Sequence, residues 1–232
     1  MSSRYSICLS KEALEKRYSV KAHNDYRPRY NAAPAQLLPV ISNTAPDRIS
    51  YFYWGQIPDW SKNKTISEKL IFANSELIRQ KISSLRNIET RRCLVPADGF
   101  YIWKSLGRKS KIPYRVIFNT GEAFSFAGIW ESYEDENDRK VVTFKIMTTT
   151  ANSVVGEIQD YMPVLLTRES EQHWLNNRST VDELLAAAVT YPGDKMTKFT
   201  ISPKINRTET DDPSLILAAP AADQFGNYSL FD

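Results

Sequence analysis

The sequence has little with which to build the commoner kinds of reactive centre. Two cysteines, Cys8 and Cys93, and two histidines, His23 and His173, are scattered through 232 residues. That scatter has no metal-ligand spacing, so no metal site and no cofactor are expected. So few cysteines suit a reducing compartment rather than a disulfide scaffold. No stretch approaches the roughly 18 consecutive apolar residues that span a bilayer, and the segment from Met1 to Ser6 has no apolar core for a signal peptide. A cytoplasmic protein with no membrane partner is expected. The Walker loop, GxGxxG, GxSxG and HExxH are all absent, which removes the most readable nucleotide, hydrolase and metalloprotease chemistries. Charge of one sign is scarce too: the net charge is +3, which permits a nucleic-acid partner without arguing for one. There is no repeat or low-complexity tract, and a monomer is expected.

What is present is an ordinary globular composition, 42% hydrophobic and 25% charged. Helices are expected at residues 11–18 behind Ser10, at 168–176, and at 180–188 with Thr180 as N-cap and Asp182 and Glu183 in the first turn. Strands are expected at 36–41, 49–54, 92–95, 100–103, 114–118, 123–130, 141–148, 164–166 and 198–202. Residues 25–34 read as a loop broken by Pro28 and Pro34, 67–85 as mixed loop and helix, and 96–99 as a turn. Residues 104–111 read as a basic hairpin turn, and 131–138 as an acidic solvent loop. Many short strands with a few helices predict an α+β fold dominated by a curved, mainly antiparallel sheet. Residues 1–206 form the domain on this reading, and 207–232 a tail packed on it or extending from it.

Two groups mix basic and aromatic side chains: Arg27, Arg29 and Tyr30, and Trp103, Lys104, Arg108, Lys109 and Lys111. Such mixtures suit single-stranded nucleic acid, where rings stack on bases and cations meet phosphates. A solvated hairpin would look the same.

A series of segments is more specific. Tyr30-Asn31-Ala32-Ala33-Pro34, Trp54-Gly55-Gln56-Ile57-Pro58-Asp59-Trp60 and Asn74 come first. The longest follows, Arg91-Arg92-Cys93-Leu94-Val95-Pro96-Ala97-Asp98-Gly99-Phe100-Tyr101-Ile102-Trp103-Lys104. Then come Pro113-Tyr114, Ala127-Gly128-Ile129-Trp130, Thr148-Thr149-Thr150-Ala151-Asn152 and Met162-Pro163-Val164. In this order the series resembles the SRAP family of SOS-response-associated peptidases, across roughly residues 1–206. The resemblance implies a single barrel-like SRAP domain with flanking short helices. It also implies covalent capture of abasic sites in single-stranded DNA. Family chains begin Met-Cys-Gly-Arg; loss of Met exposes a cysteine whose α-amine forms a Schiff base with the sugar aldehyde and whose thiol closes a thiazolidine. An asparagine, a glutamate in a GFYEW segment and a histidine in an HDRMP segment position the sugar and move protons.

The catalytic positions transfer poorly. Ser2 stands at the nucleophile, Ile102 at the glutamate and Gln159 at the histidine; only Asn74 keeps the family residue. A serine hydroxyl is a far weaker nucleophile than a thiol, though Ser2 would keep the α-amine once Met1 is removed. Cys8 is internal and lacks that amine, and Cys93 fits an apolar strand. Glu76 and Tyr161 replace arginines, which weakens phosphate contacts. Arg4, Asn31, Pro34, Trp54, Trp60, Asn74, Thr149, Met162 and Pro163 match positions along the family's DNA groove. Trp54 also fits a buried core, Asn31 and Pro34 turn geometry, and Asn74 a backbone cap. Three readings stay open. One is a single-stranded or junction DNA binder with lost or reduced crosslinking and autopeptidase activity. The second is a diverged fold whose cleft takes a small ligand or protein partner. The third is an amine-only Schiff-base crosslinker or lyase using Ser2.

Overall fold

The apolar run of 37–41 and the aromatic-rich 49–54 pair as a hairpin of β3 (Leu37–Ser42) and β4 (Ala45–Trp54), which starts a closed barrel. The computed structural model describes residues 3–55, 68–78, 82–107, 110–135 and 137–228. Before the hairpin come β1 (Tyr5–Ile7), α1 (Lys11–Tyr18) and β2 (Arg29–Ala32). After it come α2 (Glu68–Ile71), β5 (Phe72–Asn74), α3 (Ser75–Ile78) and α4 (Ile82–Thr90). Next are β6 (Arg92–Ala97), β7 (Gly99–Leu106), β8 (Ser110–Phe118), β9 (Phe124–Glu134) and β10 (Lys140–Thr150). The chain continues with α5 (Ser153–Gly156), β11 (Tyr161–Pro163), β12 (Leu165–Leu166), α6 (Arg168–Leu175), α7 (Val181–Ala187) and β13 (Met196–Thr200). Two short 3-10 helices, Pro203–Asn206 and Pro213–Ile216, follow.

The barrel runs β10-β4-β3-β6-β9 and closes where β9 pairs with β10. Its pairings are antiparallel except β4 with β10, where Phe144 lies opposite Trp54. Those two rings stack inside, 6.2 Å apart, and Tyr5 meets Trp54 edge-on at 5.4 Å. A second sheet, β13-β8-β7-β1-β2, packs over the barrel. Successive residues of β7 face opposite ways. Phe100 and Ile102 join the main core, whereas Tyr101 joins a smaller cluster with Ile201, Ile205 and Leu215, flanked by Tyr30, Trp103 and Phe199. The C-terminal segment therefore covers the outer face of β7.

Local signals place several elements as expected. Ser10 caps α1 by accepting from the Ala13 amide, and Thr180 and Glu183 form a capping box at α7. Arg17 of α1 forks onto Glu171 of α6 through two 2.9 Å bonds.

Four expected breaks differ. Residues 29–32 of the expected loop form β2, because Ala32 pairs with Tyr5 and the Asp211 carboxylate takes the Tyr30 and Asn31 amides at 2.6 and 2.9 Å. Residues 96–99 are no full turn: β6 runs through Pro96 to Ala97, and β7 starts at Gly99. A Cβ on Gly99 would sit 2.6 Å from Nε of Arg115, which pairs with Asp98 at 2.8 Å. The glycine thus makes room for a buried ion pair. The strands flanking the basic turn extend to Leu106 and from Ser110, with Gly107 at φ +78°. The acidic stretch is mostly strand: β9 reaches Glu134, and Asp135 turns the chain by accepting from the amides of Asn137 and Arg139, both at 2.9 Å.

Candidate active site

The register of the β7–β8 hairpin builds one wall of a cavity of about 460 Å³. Ser105 pairs with Lys111, and Trp103 with Pro113. Trp103 and Ser105 are two residues apart, so they share the outer face of β7. Trp103, Ser105 and Lys111 line the cavity, joined by Ser3 and Arg4 at the start of the described chain. Ile158 and Gln159, after α5, and Asn206, at the end of a 3-10 helix, complete it.

The lining is held mainly by hydrogen bonds to its own neighbours. The Trp103 indole N–H donates to Oδ1 of Asn206 at 2.9 Å, while Asn206 Nδ2 donates to the Pro203 carbonyl. Gln159 Nε2 donates to the Tyr161 carbonyl at 2.6 Å. Arg4 Nη1 donates to Asn31 Oδ1 at 2.8 Å and to the Ile205 carbonyl at 3.1 Å. Burial lowers the pKa of Arg4, and Glu209 opposes the shift. Asn31 is fully buried; its Nδ2 donates to the carbonyls of Ile205, Arg207 and Thr210. It anchors the C-terminal segment and has no surface in the cavity.

Two of the expected catalytic positions, Ile102 and Asn74, are not among the described lining residues. Ile102 has no exposed surface and belongs to the main core beneath the cavity wall. Asn74 ends β5, opposite Thr148, and Oδ1 accepts from the amides of Glu76 at 2.8 Å and Leu77 at 3.2 Å. It caps the short helix α3, the structural role its sequence position also allowed. Ser2 and Trp60 lie outside the described residues.

Most of the other residues expected along a groove lie on or beside β10. Thr148 has Asn74 on one side and Pro163 on the other, and Thr149 pairs with Met162. Met162 is buried with Sδ facing the Asn152 amide at 3.4 Å; Thr149 shares a hydroxyl contact with Thr190 at 3.2 Å. Glu76 accepts from the Thr150 hydroxyl at 3.0 Å, and Tyr161, opposite Thr150, is exposed. Trp54 is buried and donates to the Ile71 carbonyl at 2.9 Å. Pro34 enters a turn in which Ala35 adopts φ +64°.

Neither thiol is primed. Burial and then the Asp98 carboxylate push the Cys8 thiol far up, and burial alone does so for Cys93. Among the described residues no group of three or more His, Cys, Asp or Glu side chains could hold a metal ion, and no helix is long and apolar enough to cross a membrane. Of the two basic–aromatic groups, one is consumed in structure: Arg29 pairs with Asp211 at 3.1 Å. The other gives the cavity Trp103 and Lys111. Ser3, Ser105, Ile158 and Asn206 carried no signal in the sequence, because only the tertiary fold brings them together.

The barrel with its covering sheet and N-terminal cavity defines a recognisable class. The family model for SOS response associated peptidase (SRAP) matches residues 1–208, and the chain belongs to that family. It is similar to the abasic site processing protein YoqW of Bacillus subtilis, 36% identical over 194 residues, 83% of this chain and 87% of YoqW. The abasic site processing protein HMCES of Rattus norvegicus is 26% identical over 84% of this chain and 66% of its own. A solved structure of a Bacteroides thetaiotaomicron protein superposes with a TM-score of 0.81 at 26% identity, covering 93% of this chain and 99% of that one.

Proposed function

We propose that this chain binds single-stranded DNA at abasic sites through the cavity beside Ser3 and Arg4, with lost or strongly reduced thiazolidine crosslinking and autopeptidase activity. One observation carries the second half: the position of the family's glutamate is Ile102, sealed in the core, while Gln159 at the histidine position offers only a neutral amide. Neither moves a proton near neutrality. Ser2 supplies no thiol to close a ring, and the two cysteines elsewhere are held protonated by burial. The DNA half is supported by Arg4, Lys111 and Trp103 lining one cavity, a cation–ring set suited to a single strand and its phosphates. Membership beside abasic site processing proteins supports the substrate class.

The test is incubation with single-stranded DNA carrying one abasic site, followed by a heated denaturing gel, beside a fluorescence-anisotropy titration across salt. Salt-dependent binding without a heat-stable adduct is expected. A heat-stable adduct in the absence of reductant would overturn the loss of ring closure. No binding at low salt would sink the DNA reading and favour a small ligand or protein partner for the cleft.

A further inference from the structure

The cavity holds one primary amine that no family position accounts for. Lys111 lies opposite Ser105 across the hairpin and opens on the same space as Arg4 and Gln159. Its backbone is pinned: the Lys111 amide donates to Gln224 Oε1 at 2.7 Å, and the neighbouring Ser110 hydroxyl donates to Asp223 at 2.6 Å. Both acceptors come from the C-terminal segment beyond the family-matched residues. The side-chain ammonium makes no hydrogen bond or ion pair among the described residues.

The other lining groups are poor at capturing a carbonyl. Guanidinium and amide nitrogens are not nucleophilic under mild conditions. The Ser3 and Ser105 hydroxyls have no imidazole or carboxylate among the described lining residues to take their protons. A lysine amine, in contrast, condenses with aldehydes directly.

Resting on the function proposed above, we propose that the ε-amine of Lys111 captures the ring-opened sugar of an abasic site as an imine. The neutral amine attacks the C1′ aldehyde carbon, forming a C–N bond, and the carbonyl oxygen takes up a proton. The resulting carbinolamine loses its nitrogen-bound proton and its hydroxyl as water, leaving C=N. No thiol is near to add across that bond, so water reverses it and the capture is transient. Arg4 would hold a flanking phosphate, and Trp103, fixed by Asn206, would wall the sugar.

The experiment uses the full chain, an abasic single strand and borohydride, which delivers hydride to the imine carbon and makes the link permanent. The adduct is digested and located by mass spectrometry. Lys111→Arg is run in parallel, and binding is read by anisotropy on an oligonucleotide carrying an aldehyde-free tetrahydrofuran site. The expected adduct is on the peptide containing Lys111. Lys111→Arg is expected to reduce trapping by about tenfold or more, because guanidinium forms no imine. Trapping is scored per bound strand, with the tetrahydrofuran titration giving the bound fraction, so that a change in affinity is not read as a loss of imine. An adduct on the N-terminal peptide, undiminished trapping in Lys111→Arg, or binding with no adduct would each overturn the Lys111 role and leave the DNA reading standing. Absence of binding by the unaltered chain would overturn both.

Discussion

Ile102 occupies a position where two demands compete. A proton-transferring side chain needs access to the cavity, but the inner face of β7 needs an apolar group against the barrel. Here the second demand has won. Full burial of an isoleucine contributes about 1.5–3 kcal/mol. Ile102→Glu would forfeit that and place an unpartnered carboxyl where no surface is exposed. A loss of at least about 2 kcal/mol in urea-denaturation stability is expected, with no gain in abasic-site crosslinking. An unchanged midpoint would show that the site opens to solvent and that a carboxylate there can be used. The expected departures at Ser2, Ile102 and Gln159 rest on the motif resemblance, to which the fold adds the burial of Ile102. For Trp54 the buried core that it occupies was one of two readings the sequence allowed, whereas the role of Asn31 was not legible. An asparagine that anchors three carbonyls some 170 residues away in the chain reads in sequence like any turn asparagine. Trp54 becomes a core residue only once Phe144 and Tyr5 are brought around it.

Among the elements, those with local signals were readable and those defined by distant pairing were not. α1, α6 and α7 carry their own caps. The short strands β1, β2, β5 and β11 hold three or four residues each and exist through their partners. Arg92 shows the same limit. It stands in a motif segment with no reading of its own in the sequence, and it has no exposed surface. Its guanidinium donates to the carbonyls of Trp174 at 2.6 Å, Ile88 at 2.7 Å and Asn176 at 3.0 Å, and also to Glu89. These carbonyls lie at the C-terminal ends of α4 and α6, where unpaired oxygens and the helix dipole both favour a cation. Arg92 thus ties two helices to the barrel. Each buried polar group left unsatisfied costs about 1–3 kcal/mol, so Arg92→Ala is expected to cost about 3 kcal/mol or more. Chemical denaturation would register it as a lowered midpoint. A loss under 1 kcal/mol or so would mean that water replaces the guanidinium at those carbonyls.

Across the whole molecule, the C-terminal segment is joined to the rest of the fold at successive points. Asp211 meets Arg29 and the β2 amides, Leu215 is buried against the outer face of β7, and Ala219 exchanges backbone and side-chain bonds with Thr200. Asp223 closes the series at the β8 edge beside Lys111. The Ser110 hydroxyl above all, then Asn227 and the Phe225 amide, hold its carboxyl down to about 2, against a desolvation that works the other way. An unfolded aspartate titrates near 3.9. The folded form therefore binds its proton less readily, and the contact contributes in full above about pH 4, then is lost as pH falls through about 2. Amide exchange at Gln224 to Asn227 should accelerate across that interval while exchange in the barrel strands lags behind. Asp223→Asn should remove the interval and leave the segment loosened at every pH. If the construction of the cavity wall depends on this clasp, Asp223→Asn should also weaken borohydride trapping at Lys111 without abolishing it, since the lysine remains on β8 but its strand edge loses the Ser110 anchor. Unaltered trapping beside accelerated exchange would separate the two, leaving the segment as a cover for Tyr101 and Trp103 with no part in placing the amine.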